Sequence, residues 1–150
     1  KSGMVTGRLT MYPPCSHADR VFGSWPHSDG TVITALLAER EGLQIEKDGQ
    51  WFKVPVIPSA LFFNFGDLGE VLTNGIFKSV THRVVANSTK DRISWGAFCN
   101  PKENIQIGPA SELITADQPQ LYKNFNMIEF RQAYLKNIAI GRRAHDALRV

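Results

Sequence analysis

Gly42-Leu-Gln-Ile-Glu-Lys-Asp-Gly-Gln-Trp-Phe-Lys-Val54 is the stretch on which the fold reading turns. Its two arms carry apolar and aromatic residues at strand length, and Asp48-Gly49 between them can occupy the two positive-φ positions of a type I′ turn. A β-hairpin is expected there.

Outward from the hairpin the same rhythm continues. Gly7 to Tyr12, Thr31 to Ala38, Ala60 to Phe65, Phe77 to Ala86, Arg92 to Cys99 and Asn104 to Ile107 read as strands, and with the hairpin they make eight. Short strands separated by turn signals favour an antiparallel sandwich or barrel over alternating strand and helix. Two helices break the pattern. Asp67 followed by Glu70 forms a capping pattern, with Gly75 as a left-handed stop, which predicts a short helix over Leu68 to Thr73. Asn126 followed by Glu129 starts a second helix, in which Ile128, Tyr134, Leu135 and Ile138 recur at helical spacing. It is expected to pack against the outside of the sheet. Pro13-Pro14 and Pro55 to Pro58 mark strand boundaries.

Composition bounds the rest. At 150 residues with 43% hydrophobic content the chain can bury one core, so a single domain over 1–150 is expected. The net charge is +3, but the 17 Lys and Arg are scattered, the tightest cluster being Arg142-Arg143. That argues against nucleic acid as a partner. Ala60 to Phe63 and Val32 to Ala38, the longest apolar runs, are too short to cross a bilayer, so no membrane partner and a soluble protein are expected. Cys15 and Cys99 stand in neither a CxxC pair nor a zinc spacing, and read as reduced thiols of a cytoplasmic protein. Because the chain begins at Lys1 rather than Met, it is expected to be part of a longer protein.

His27-Ser28-Asp29 carries the chemistry worth following. On an extended backbone, i and i+2 face the same way, so an imidazole and a carboxylate converge. His82, 53 residues beyond Asp29, shares a strand face with Val80 and Val84 and supplies a third donor. Two histidines and a carboxylate leave half an octahedron open, which suits Fe(II) that must also bind a co-substrate and dioxygen. A His-x-Asp alone is common by chance, and so is a lone His82. Of the other histidines, His17 falls in a polar loop and His145 in a terminal helix, and both are expected to be solvated. Arg92-Ile93-Ser94 repeats the i, i+2 logic: a guanidinium and a hydroxyl on one face can clamp a carboxylate. An exposed Arg at a strand start is the alternative. Phe98 lies on the same face and is expected either to line the pocket or to fill the core, with Trp25 and Phe22 as weaker candidates for its rim.

Taken together these residues resemble the plant-type 2-oxoglutarate- and Fe(II)-dependent dioxygenases over nearly the whole chain. The resemblance rests on Tyr12-Pro13-Pro14-Cys15, Pro26-His27-Ser28-Asp29, Gly42-Leu43-Gln44, Gly49-Gln50-Trp51, Asn64-Phe65-Gly66-Asp67, Thr73-Asn74-Gly75, Phe77-Lys78-Ser79-Val80-Thr81-His82-Arg83-Val84 and Arg92-Ile93-Ser94, in this order and spacing. It implies a mainly β fold, the double-stranded β-helix or jelly roll. It implies His27, Asp29 and His82 as iron ligands, with Arg92, Ser94 and Tyr12 around the distal carboxylate of 2-oxoglutarate. The implied reaction consumes dioxygen and 2-oxoglutarate, with ascorbate as a reductant, to hydroxylate, desaturate or demethylate a small, largely apolar metabolite, releasing succinate and CO2. Asn64 to Asp67, Thr73 to Gly75 and Lys78-Ser79 are explained by turn and cap chemistry instead.

Departures bear on the pocket. The family commonly has Asn where this chain has Thr10, and Gln-Asp before Gly42 where this chain has Glu39-Arg40-Glu41. Family members also carry a longer N-terminal region, so the resemblance implies that this chain is either the C-terminal part of a longer enzyme or a truncated relative. Two other readings stay open: a relative that oxidises its substrate without 2-oxoglutarate, as 1-aminocyclopropane-1-carboxylate oxidase and isopenicillin N synthase do, or a catalytically silent binding domain.

Overall fold

The computed structural model describes residues 3–138 and 143–150, so Arg142 of the basic pair lies outside the described residues. Eight strands run β1 Met4–Tyr12, β2 Phe22–His27, β3 Ile33–Ala38, β4 Leu43–Lys47, β5 Gln50–Lys53, β6 Phe62–Phe65, β7 His82–Val85 and β8 Arg92–Asn100. They form two four-stranded antiparallel sheets, in the orders β1-β8-β3-β6 and β2-β7-β4-β5. Apart from the β4-β5 hairpin, successive strands alternate between the sheets, which is the winding of a jelly roll.

The hairpin is as expected: Asp48 (φ 53°) and Gly49 (φ 74°) both take left-handed conformations between β4 and β5. Two differences in the strand set have physical causes. Asn104 to Ile107 is not a strand; Ile107 makes a single bridge, to Phe125. The eighth strand is Phe22–His27 instead, which sequence reading passes over because Gly23 and Pro26 interrupt its alternation. It survives as an edge strand with register shifts between Phe22 and Ser24 and between Ser24 and His27, the place in a sheet where Pro is tolerated. The strand expected over Phe77 to Ala86 is shortened to His82–Val85 because the Ser79 amide is bound by the Glu70 carboxylate rather than by a neighbouring strand.

Helix α1 spans Asp67–Leu72, one residue earlier than expected. Its N-cap is Gly66, without a side-chain cap, because Asp67 and Glu70 are fully buried and turned to other partners. Helix α2 spans Met127–Ile138 and does begin with a capping box: the Asn126 side chain accepts from the Ile128 and Glu129 amides, while Glu129 accepts from the Asn126 amide. Its buried face is Met127 and Phe130, with Ala133 and Tyr134 beside them, whereas Ile128 and Leu135 point to solvent. The register that the apolar spacing suggests is therefore one residue off on that helix. Nor does α2 cover the outer sheet face. It packs with Leu68, Val71, Ile107, Tyr122, Phe125 and Leu148 into the main apolar cluster.

The outer face of the larger sheet stays bare. Leu9, Trp95 and Leu37 align across β1, β8 and β3, with Met11 and Phe63 nearby, and all five are exposed. Among the described residues no helix is long and apolar enough to cross a membrane. Replacing Asn126 by Ala removes the cap from α2 and should lower stability by about 1 kcal/mol in equilibrium urea unfolding; an unchanged midpoint would show that α2 does not depend on this cap.

Candidate active site

A cavity of about 360 Å³ is lined by residues of both sheets. Tyr12, His27, Asp29, His82, Arg92, Ser94 and Phe98, drawn from four strands and one loop, all line it. Trp25 and Phe22, the rim candidates, do not; Trp25 projects into solvent and stacks edge-on with Phe22.

The histidines are brought together by strand register. His27 ends β2, His82 begins β7, and the two are direct cross-strand partners with ring centroids 4.4 Å apart. Each Nδ1 faces the carbonyl of the residue two positions back, Trp25 at 2.6 Å and Val80 at 3.0 Å. A carbonyl only accepts, so the proton sits on Nδ1 and both Nε2 atoms are left as lone-pair donors. They turn toward Asp29 Oδ1, at 3.9 Å from His27 and 3.7 Å from His82. One ligand atom from each of the three residues lies within 4.8 Å of the others.

Asp29 is held just as firmly. Its Oδ2 accepts from Thr34 Oγ1 at 2.7 Å and Asn64 Nδ2 at 3.0 Å, and Thr31 Oγ1 in turn donates to Thr34 at 2.9 Å. One carboxylate oxygen is thus consumed by the protein and the other is presented to the histidines. Metal-binding carboxylates and imidazoles need such outer partners to fix their orientation. Sequence reading gave Asn64 only a turn role and did not single out Thr34; the period-2 position of Thr34 on β3, facing inward, was the available signal.

A second group faces the same cavity. Tyr12 pairs with Arg92 and Thr10 with Ser94 across β1 and β8. Arg92 is buried, donates from Nη1 to Ser94 Oγ at 3.2 Å and from Nε to the Arg40 carbonyl at 3.1 Å, and lies over the Tyr12 ring at 5.5 Å. Gly23 makes room for that ring, since a Cβ there would sit 2.7 Å from it. Among the described residues no carboxylate lies within ion-pair distance of Arg92, and burial lowers its pKa. A buried guanidinium without an acidic partner calls for an anionic ligand. Thr10, which stands where the family has Asn, also lines the cavity, as do Arg8 and Tyr134, whose hydroxyl donates to the Ser28 carbonyl at 3.4 Å.

A model of the 2OG-Fe(II) oxygenase superfamily matches residues 3–101, the segment that holds all eight strands. The chain belongs to that superfamily. It is 39% identical to codeine O-demethylase of Papaver somniferum over all of its own length and 42% of that protein's. Protein SRG1 of Arabidopsis thaliana is likewise 39% identical, over 95% of this chain and 40% of the relative. Among solved structures, JOX2 in complex with 2OG, Fe and JA superposes with a TM-score of 0.81 at 38% identity, over 85% of this chain and 38% of that one. The chain spans about two fifths of the length of these curated relatives.

His145, expected to be solvated, is instead fully buried between Asp67 and Glu70, because the last turn of the chain, Ala144–Leu148, folds back against α1. His17 is exposed, as expected.

The pKa of His27 is lowered, mainly by burial and then by the nearby His82. The sign follows: as pH falls through 6.5 the unfolded chain takes up a proton that folded His27 still refuses, so the metal-free fold loses stability over that window and below it, down to the lowered pKa. His27→Gln should flatten this part of the stability-pH curve in urea unfolding from pH 7.5 to 5; a curve of unchanged slope would remove His27 as its cause.

Proposed function

We propose that this domain is the catalytic part of a 2-oxoglutarate-dependent Fe(II) oxygenase. His27 Nε2, Asp29 Oδ1 and His82 Nε2 would hold Fe(II), and Arg92, Ser94 and Tyr12 would bind the distal carboxylate of 2-oxoglutarate. The observation that carries the reading is one cavity containing both a convergent two-histidine, one-carboxylate set and a buried Arg92 without an acidic partner. The donor set fits the metal: two neutral nitrogens and one carboxylate, facing the cavity from one side, suit a ferrous ion with positions left over for other ligands.

When bound, iron and 2-oxoglutarate supply the oxidising power, releasing succinate and CO2. The protein does the rest. The Nδ1 bonds to Trp25 and Val80 fix each imidazole in the tautomer that can coordinate. Thr34 and Asn64 occupy one oxygen of Asp29 with hydrogen bonds, so the other is directed toward the histidines. Arg92 and Ser94 anchor the co-substrate by its far end, which orients its other end toward the three ligands. Phe98, Leu36 and Phe62 make an apolar wall that keeps water from the reacting centre.

The substrate in this reading is a small, largely apolar metabolite that is hydroxylated, desaturated or demethylated; the relatives that match include codeine O-demethylase and a flavonol synthase/flavanone 3-hydroxylase of Petunia hybrida. The working compartment would be the cytoplasm, in keeping with two cysteines that are both free, and neither nucleic acid nor membrane would be a partner. We also propose that the domain is the C-terminal part of a longer chain, further residues of which cover the bare apolar face at Leu9, Trp95 and Leu37.

Anaerobic titration with Fe(II) and then 2-oxoglutarate should develop a weak visible charge-transfer band that needs both additions and is absent in His82→Ala. Iron binding without such a band would point to an oxidase that does not use 2-oxoglutarate, and no iron binding would reject the reading. Arg92→Ala should raise the 2-oxoglutarate concentration at half-saturation by roughly 10- to 100-fold, the loss of a charge-assisted bidentate anchor. An unchanged value would take Arg92 out of the co-substrate site.

A further inference from the structure

Outside the cavity, the described residues contain a second buried polar cluster that the proposed chemistry does not use. Asp67, Glu70, Tyr122 and His145 are all fully buried. His145 Nδ1 lies 3.2 Å from Asp67 Oδ1 and its Nε2 3.6 Å from Glu70 Oε1, facing both carboxylates without a well-aligned hydrogen bond. Tyr122 donates to Glu70 Oε1 at 2.9 Å, and Lys78 Nζ reaches the same oxygen at 3.4 Å. Burying two carboxylates is costly unless each is paired, and His145 stands between them as the ring that faces both.

The cluster reaches the candidate metal ligands along two short paths. In the first, the Asp67 amide donates to the Asp29 carbonyl at 2.7 Å, an approach that Gly66 permits because a Cβ there would lie 2.6 Å from that same carbonyl oxygen. In the second, Asp67 Oδ1 accepts from Ser79 Oγ and Glu70 Oε2 accepts from the Ser79 amide, both at 2.7 Å, and the Arg143 side chain caps the Ser79 carbonyl at 3.3 Å. Ser79 stands three residues before His82 and next to Val80, whose carbonyl fixes the His82 ring. The start of α1 therefore holds the backbone of one candidate ligand and the approach to another, and a histidine from the last turn of the chain lies against both of its carboxylates.

We infer that His145 is a positioning residue for the metal site: by pairing Asp67 and Glu70 it sets the spacing between Asp29 and His82. The inference rests on the ligand reading above. It assigns the C-terminal turn a part in the chemistry although none of its residues lines the cavity.

The test compares His145→Gln, Ser79→Ala and Leu148→Ala with the unsubstituted protein. Leu148 is buried in the same turn but sits in the apolar cluster, so its loss loosens the turn without removing a partner from either carboxylate. Two quantities are read: Mn(II) affinity by calorimetry, and hydrogen exchange of the Asp67 amide in metal-free protein. His145→Gln and Ser79→Ala should each weaken Mn(II) binding about tenfold, the usual scale for an orienting partner, and His145→Gln should speed exchange at Asp67. Leu148→Ala should bind Mn(II) as the unsubstituted protein does, although it melts earlier. Ser79→Ala removes only a hydroxyl and keeps the test decisive if His145→Gln does not fold. Unchanged affinity in either folded variant, or an equal loss in Leu148→Ala, overturns the inference and leaves the ligand reading standing. Failure of the unsubstituted protein to bind Mn(II) overturns both.

Discussion

Asp29 uses its two carboxylate oxygens differently, and the site depends on that division. Oδ2 is tied to Thr34 and Asn64, on two adjacent strands of the larger sheet, while Oδ1 faces two imidazole nitrogens supplied by the smaller sheet. A carboxylate free to rotate would lose side-chain entropy on binding a metal and would offer either oxygen; this one has already lost it. The same residue thus bridges side chains of the two sheets. Thr31 extends the network by donating to Thr34, so the orientation of the Asp29 carboxylate is set by residues of the paired strands β3 and β6.

The rest of the cavity follows from strand register. An antiparallel pair places opposite residues on one face, and two such pairs put His27 against His82 and Tyr12 against Arg92. Neither pairing depends on nearness in sequence. The His27-His82 side of the cavity is built from imidazole nitrogens and one carboxylate, whereas the β1-β8 side presents a buried cation. The His145 cluster adds a further layer, in which the last turn of the chain packs against Asp67, whose amide holds the Asp29 carbonyl and whose carboxylate holds Ser79.

Much of this was legible in the residues. The Asp48-Gly49 turn, the capping box at Asn126 and the i, i+2 pairs at His27 and Arg92 act through local geometry, which a sequence displays directly. What was not legible is long-range. Phe22–His27 hid behind Gly23 and Pro26, which only an edge position with bulges accommodates. Asp67 and Glu70 resembled a helix cap because their spacing is that of a cap, yet burial beside His145 redirected both. Asn64 and Thr34 are ordinary strand residues until the folded sheets set them against Asp29.

The most direct test of the central claim is anomalous diffraction at the iron edge from crystals loaded anaerobically with Fe(II). A single strong peak is expected within coordination distance of His27 Nε2, Asp29 Oδ1 and His82 Nε2, with Asp29 Oδ2 still bound to Thr34 and Asn64. A peak at any other group of side chains, or loaded crystals without one, would contradict it.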